Sequence, residues 1–189
     1  MSRRVVGRPL EEVELVDRAR EGDAGAYGAL VEMHQQIAFR TAHAVLGDPA
    51  EAQEAAQDAF VKAYNALPRF RRGAPFRPWL LRIVGNEARN RARSRSRRER
   101  LAWRAAGEAV SGGAAPPPEA DVIEAEERAE LFRAIARLGP DERLAVIGRF
   151  FLGLTDEEAA AALGVRRGAV KMRVFRALER LRSELEVQP

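Results

Sequence analysis

The segment that most constrains this chain runs from Leu154 to Leu185, LTDEEAAAALGVRRGAVKMRVFRALERLRSEL, because it specifies two helices with a tight turn between them. Thr155 offers a hydroxyl N-cap and Glu158 follows three residues on, a capping box in which each side chain satisfies a backbone donor left open at the helix start. A helix is therefore expected from Asp156 to Leu163. It stops at Gly164, the residue type that most readily adopts the left-handed conformation at a helix end. Beyond it, Val170, Val174, Ala177, Leu178, Leu181 and Leu185 recur at spacings of three and four, so they gather on one face that belongs in a core. Gly168, Met172, Phe175 and Arg176 lie outward, flanked by Lys171 and Arg173. Two apolar side chains among cations suit a DNA groove, where arginine pairs with guanine edges or phosphates and Met172 or Phe175 can touch a thymine methyl. The segment reads as a helix-turn-helix with a basic second helix. An ordinary helical hairpin with a solvated basic face fits the same pattern.

Composition narrows the class. The chain has 189 residues, a formal net charge of +4, 30 Arg against two Lys, two His and no Cys. Without cysteine no disulfide framework or thiolate metal site is possible, and no apolar run approaches the roughly 20 residues needed to span a bilayer. The start, MSRRVVGRPLEE, lacks the apolar run of a signal peptide. A cytoplasmic protein without cofactor or membrane association is expected. Enzymatic chemistry finds almost nothing to use: His34 and His43 are nine residues apart and share no helix face, and there is no Gly-rich lysine loop for phosphates. No catalytic or metal-ligating residue is assigned.

The helical periodicity breaks at 105–120, AAGEAVSGGAAPPPEA, where three Gly and three consecutive Pro read as a flexible linker. This predicts an all-α fold of two small helical domains, 1–104 and 121–189. In the first, Asp23 caps a long helix with an apolar stripe of Tyr27, Leu30, Val31, Ile37, Ala38, Ala44 and Val45, ended by Gly47. Asp48, Pro49 and Glu51 then give a second start signal: a carboxylate cap, proline at the first helical position and an early acid. That helix, expected to run from Pro49 to Leu67, turns Ala52, Ala55, Ala59 and Tyr64, with parts of Phe60 and Ala63, toward the core. A further helix starts between Pro75 and Pro78 and carries Trp79, Leu80, Ile83 and Val84 before becoming strongly basic. The segment Met1 to Pro9 is expected to be disordered when free.

From Arg69 to Arg104 there are 13 Arg and two Glu, a local charge of +11 in 36 residues. A solvated tail at Arg93 to Arg104 is one reading of this run. A phosphate-binding surface is the other, favoured by neighbouring Phe70, Phe76 and Trp79, since unpaired bases stack on aromatic and guanidinium planes. Trp79 is expected in the core because Ile83 follows it at helical spacing. Phe70, in the loop-like PRFRRGAP, is the better candidate platform.

Together these motifs resemble a bacterial sigma factor of the extracytoplasmic-function group of the sigma-70 family, over nearly the whole chain. EAQEAAQDAFVKAYNALPRF is similar to the acid-rich helix of sigma region 2 that grips the clamp helices of the RNA polymerase beta-prime subunit. FRRGAPFRPWLLRIVGNEARNRARSR is similar to the segment that opens and reads the minus-ten promoter element. LTDEEAAAALGVRRGAVKMRVFRALERLR is similar to sigma region 4, which reads the minus-thirty-five element. The resemblance implies delivery rather than catalysis: a factor that binds core polymerase, through the beta-prime clamp helices and the beta flap, and makes it promoter-specific. It assigns polymerase contact to Glu51, Glu54, Gln57, Asp58 and Phe60. It assigns the melted minus-ten strand to Phe70, Arg71, Arg72 and Asn86, with Asn90, Arg91 and Arg93 near for phosphates. Arg166, Arg167, Lys171, Met172, Arg173, Phe175 and Arg176 fall at recognition-helix positions. Members of the group are commonly held by an anti-sigma factor, around which the linker would let the two domains rearrange; the sequence leaves that partner open.

The chain also departs from the family pattern. Arg166 stands where a Ser-like cap is usual, a loss of about 1 kcal/mol, and a cation at a helix N-terminus opposes the macrodipole unless a phosphate is its neighbour. Ala159 and Ala162 replace bulkier aliphatics, a space that Phe150 and Phe151 are expected to fill. Gly85 within a helix costs about 1 kcal/mol relative to Ala, and Glu87 sits where the family tends to be apolar. Two other readings stay open: a conventional helix-turn-helix regulator on an operator, which leaves the acidic helix unexplained, and an RNA-binding role for the arginine-rich segment.

Overall fold

Local capping chemistry sets both ends of the helices that begin at Ala24 and Asp156 and the start of the one that begins at Pro49. In the computed structural model, which describes residues 9–106 and 122–186, eight helices follow one another: α1 (Pro9–Arg20), α2 (Ala24–Leu46), α3 (Pro49–Ala66), α4 (Phe76–Ala106), α5 (Val122–Arg137), α6 (Pro140–Phe150), α7 (Asp156–Leu163) and α8 (Arg167–Glu186). The expected linker lies outside these residues except for Ala105 and Ala106, which close α4, and the N-terminal segment does so except for Pro9, which opens α1. The Asp23 carboxylate accepts from Ala26 N–H, the Asp48 carboxylate from Glu51 N–H, and Gly47 takes φ +74° at the end of α2. The capping box on α7 is complete in both directions, at 3.2 Å from Glu158 N–H to Thr155 Oγ1 and 2.9 Å from Thr155 N–H to Glu158 Oε2. The fold is all-α, as expected. Helices α1, α5 and α6 are additions to which the sequence reading assigns no bounds.

Helices α2, α3 and α4 pack on one another around Leu30, Val45, Phe76, Leu80, Leu81 and Val84, all essentially inaccessible to water. Burying each such side chain is worth roughly 1.5–3 kcal/mol. A Lys62–Glu87 ion pair ties α3 to α4 and accounts for the acid at a nominally apolar position. His34 is buried against Phe76, with Nε2 2.8 Å from Glu12 Oε1 on α1; exposed His43 stacks on Phe39.

The second half does not stand apart from the first. Helix α7 lies along α4 and α6 lies along α2, so Leu144, Ala145, Leu154, Ala159, Ala160, Ala162 and Leu163 belong to the same continuous core as the first half. A smaller cluster, Ala134, Ile135, Leu138, Val146, Ala177 and Leu181, joins α5, α6 and α8. Phe150 and Phe151, expected to fill the space beside Ala159 and Ala162, are instead exposed; α4 occupies that space.

Candidate polymerase and nucleic-acid interfaces

Three surfaces carry the assigned residues. The first is the outer face of α3. Gln57 is exposed there, and Glu51, Glu54 and Asp58 are at least partly accessible, but each acid is held by an arginine of α4. Arg91 donates to Glu54 at 2.8 Å and to Asp58 at 2.5 Å, and Arg95 donates to Glu51 at 2.8 Å and to the Leu46 carbonyl at 3.2 Å. The hydrogen bond that Arg91 donates to Asp58 is the main reason its guanidinium is held even more firmly in its charged form. Arg91 was expected at DNA phosphates; here it braces the acidic helix. Phe60 was expected on the polymerase-facing surface, yet its side chain is buried, and its carbonyl accepts from Tyr27 Oη. The apolar side chains that do reach this surface are Val61 and Tyr64, which with Ala24, Tyr27 and Phe60 line a shallow depression. Tyr64 was expected in the core. The spacing Gln57, Val61, Tyr64 puts all three on one helical stripe, a signal that was available in the sequence.

The second surface is the turn before α4 and the outer stripe of that helix. Arg71 and Arg72 are exposed on a turn whose Gly73 has φ +71°, and Arg72 reaches toward Asp17 at 3.9 Å and Glu21 at 3.7 Å on α1. Phe70 is a correction to the sequence reading: it is only 5% exposed, its ring centroid 4.7 Å from Trp79 and 6.0 Å from Phe76. It is a core residue that anchors the loop, and offers no open face to a base. Asn86, Asn90 and Arg93 are exposed and follow one another at helical spacing, within about 10 Å along the axis at 1.5 Å per residue. Asn86 accepts at 2.6 Å from Arg89.

The third surface is α8. Arg166, Arg167, Lys171, Met172, Phe175 and Arg176 are all exposed, Met172 at 52% and Phe175 at 57%. Among the described residues no carboxylate pairs with Arg167, Lys171 or Arg176. Arg173 is different: it is half-buried and turned to Asp141 on α6, 3.9 Å away. The expected core face holds at Val170, Ala177 and Leu181, whereas Leu178 and Leu185 are exposed. Also on this half, Phe132, Phe150 and Phe151 are exposed, and the Phe132 and Phe151 ring centroids lie 5.9 Å apart. No helix among the described residues is long and apolar enough to cross a membrane.

Known proteins give these surfaces a context. Residues 30–98 match the Sigma-70 region 2 family and residues 128–181 match Sigma-70, region 4. The chain is 36% identical over 188 aligned positions to the ECF RNA polymerase sigma-E factor of Escherichia coli (strain K12), covering 95% of this chain and 96% of that one. It is 34% identical over 182 positions to the RNA polymerase sigma-H factor of Pseudomonas aeruginosa, covering 93% and 94%. The solved structure of CnrH in complex with the cytosolic domain of CnrY matches with a TM-score of 0.64 at 27% identity, over 95% of this chain and 99% of that one. With two helical regions in the same order, a helix-turn-helix whose outward face is cationic, and relatives of this identity along nearly its full length, the chain belongs to the extracytoplasmic-function group of the sigma-70 family.

Proposed function

We propose that this sigma factor divides its work among the three surfaces described above. It directs promoter-specific initiation by RNA polymerase. On our reading the α3 stripe of Glu54, Gln57, Asp58, Val61 and Tyr64 docks on the clamp helices of the beta-prime subunit. Its acids complement a basic coiled coil, and its exposed apolar pair adds the desolvated centre that a stable interface needs. Exposed Phe132, Phe150 and Phe151 supply the corresponding polymerase contact on region 4, at the beta flap. Arg71, Arg72, Asn86, Asn90 and Arg93 handle the minus-ten strand, with Phe70 holding the loop in place from inside. Arg166, Arg167, Lys171, Met172, Phe175 and Arg176 read the minus-thirty-five duplex. Arg173 contributes there after exchanging Asp141 for a phosphate. The proposed division places regions 2 and 4 near 1–104 and 121–189.

No bond chemistry is assigned to the chain, which acts in the cytoplasm, where core polymerase works. Strand opening needs no nucleophile, since unpaired bases are captured by stacking and polar pockets. An isolated factor of this kind binds duplex DNA weakly, because polymerase tethers both regions and so raises the effective concentration of the second contact. The observation that carries this reading is the set of unpaired cations around exposed Met172 and Phe175 on α8, set apart from the acidic stripe of α3. Co-elution of the chain with core polymerase, followed by run-off transcription at stated salt, tests it. Gln57→Lys, which lies outside the arginine pairs, is expected to abolish co-elution with helix content unchanged. Normal binding by that variant would remove α3 from the interface.

A further inference from the structure

An asparagine amide has two opposite edges, a carbonyl oxygen that accepts and an NH2 group that donates, and one neighbour can decide which of them meets a ligand. Asn86 has such a neighbour. It is exposed on the outer stripe of α4, and Arg89 follows three residues on, one turn away on the same side of the helix. Arg89 Nη2 donates to Asn86 Oδ1 at 2.6 Å. A guanidinium has five donors and no acceptor, so the oxygen is the one atom of the Asn86 amide that can face it. The NH2 group is the edge left to offer.

The arginine is itself held in place. Arg89 is buried, and its Nη1 donates to the Ala162 carbonyl at 2.5 Å. Burial pushes its guanidinium below the usual arginine range, yet arginine stays charged at neutral pH and so remains a donor only. The bond to Asn86 spans one turn within α4 and asks nothing of any other element. Asn90, the next member of the same outer stripe, makes a contrast: it is exposed and its side chain has no partner among the described residues. Its amide can turn either edge outward, whereas that of Asn86 cannot.

We propose that Arg89 is a positioning residue for promoter reading: it locks the Asn86 amide with its NH2 group outward, so that Asn86 meets the minus-ten strand as a hydrogen-bond donor and not as an acceptor. This rests on the minus-ten reading above. A donor pairs with a ring nitrogen or a carbonyl oxygen of an unpaired base, and an exocyclic amino group at the same point would set donor against donor. Leaving both groups unpaired is what makes the wrong base costly. The expected preference between bases at that position is about tenfold. Asn90, whose amide turns, accommodates either kind of edge.

The test uses the full chain with core polymerase and a promoter library randomised across the minus-ten element. Base preference is a ratio within one library, so a change in stability or in polymerase affinity scales every promoter alike and leaves the ratio unmoved. Asn86→Ala is expected to erase the preference at one position. Arg89→Gln, whose own amide can donate or accept and so lets the Asn86 amide turn over, is expected to bring the preference at that same position close to parity. Arg89→Lys, again a donor with no acceptor, is expected to keep most of it. An unchanged preference in Arg89→Gln, or equal loss in the Gln and Lys variants, would overturn the positioning role. The pairing is also read without transcription, since the side-chain NH2 signals of Asn86 in NMR spectra of the free protein are expected to move in Arg89→Gln. Signals that stay put would overturn the pairing whatever the promoters show. Signals that move, with no preference lost in Asn86→Ala, would instead sink the minus-ten assignment of Asn86, and the proposal with it.

Discussion

Phe70 carries two expectations that the structure separates. Its place between two arginines in a loop suggested a base platform, but the ring packs on Phe76 and Trp79 with almost no exposed surface. Phe70→Ala is therefore a core deletion, expected to cost about 3–5 kcal/mol in urea denaturation and to impair closed-complex formation and strand opening together. Selective loss of opening, read by permanganate footprinting, would return Phe70 to the DNA. Tyr27 gives a second residue-level prediction. Burial pushes its phenol up to about 12, so the folded state keeps a proton that the unfolded chain loses near pH 10. The stability gained from the neutral phenol is intact below pH 10 and declines between pH 10 and 12, by at most about 1.4 kcal/mol per pH unit. The urea midpoint of Tyr27→Phe should fall less steeply across that window than wild type. The burial of Phe70 was not legible in the sequence, since an aromatic in a loop has the same flanking pattern whether it faces the core or water; only its packing on Phe76 and Trp79 decides.

The helices were far more legible, because their ends are written in adjacent residues. Asp23, Asp48 and Thr155 each accept the backbone N–H three residues on, and Gly47 and Gly164 take the left-handed conformation expected of them. Helices α1, α5 and α6 had no assigned bounds; α1 is fixed by long-range packing, with Val16 and Ala19 buried in the core and Glu12 against His34. The outward residues of the recognition helix lie as expected, whereas Leu178 and Leu185 are exposed, because in this stretch Leu181 and Glu184 are the residues turned to α5. On α8, Lys171→Ala with Arg176→Ala should weaken promoter use while polymerase binding persists. If both contact phosphates, the slope of log affinity against log salt should fall by about 1.8 in magnitude. An unchanged slope with lost discrimination between promoter sequences would mean that they touch base edges instead.

At the scale of the molecule, the sequence indicated two helical regions and a break between them, but not that the halves share one core. Gly85, Ala159 and Ala162 looked like local weaknesses because each was judged within its own helix. Their common purpose appears only once α4 and α7 lie side by side, a pairing that no periodicity encodes. The arginine count has a similar explanation: Arg89, Arg91, Arg95 and Arg143 each reach two or more oxygens, which the planar, forked guanidinium does readily.

The small side chains between α4 and α7 set how closely the two halves approach. Glycine and alanine bring the α4 and α7 backbones close, while Leu81, Leu144, Leu154 and Leu163 bury apolar area in the core that the two halves share, so parting the halves would expose surface that water rejects. A joint of this composition is selective about geometry, because the Ala162 carbonyl leaves no room for a side chain at position 85.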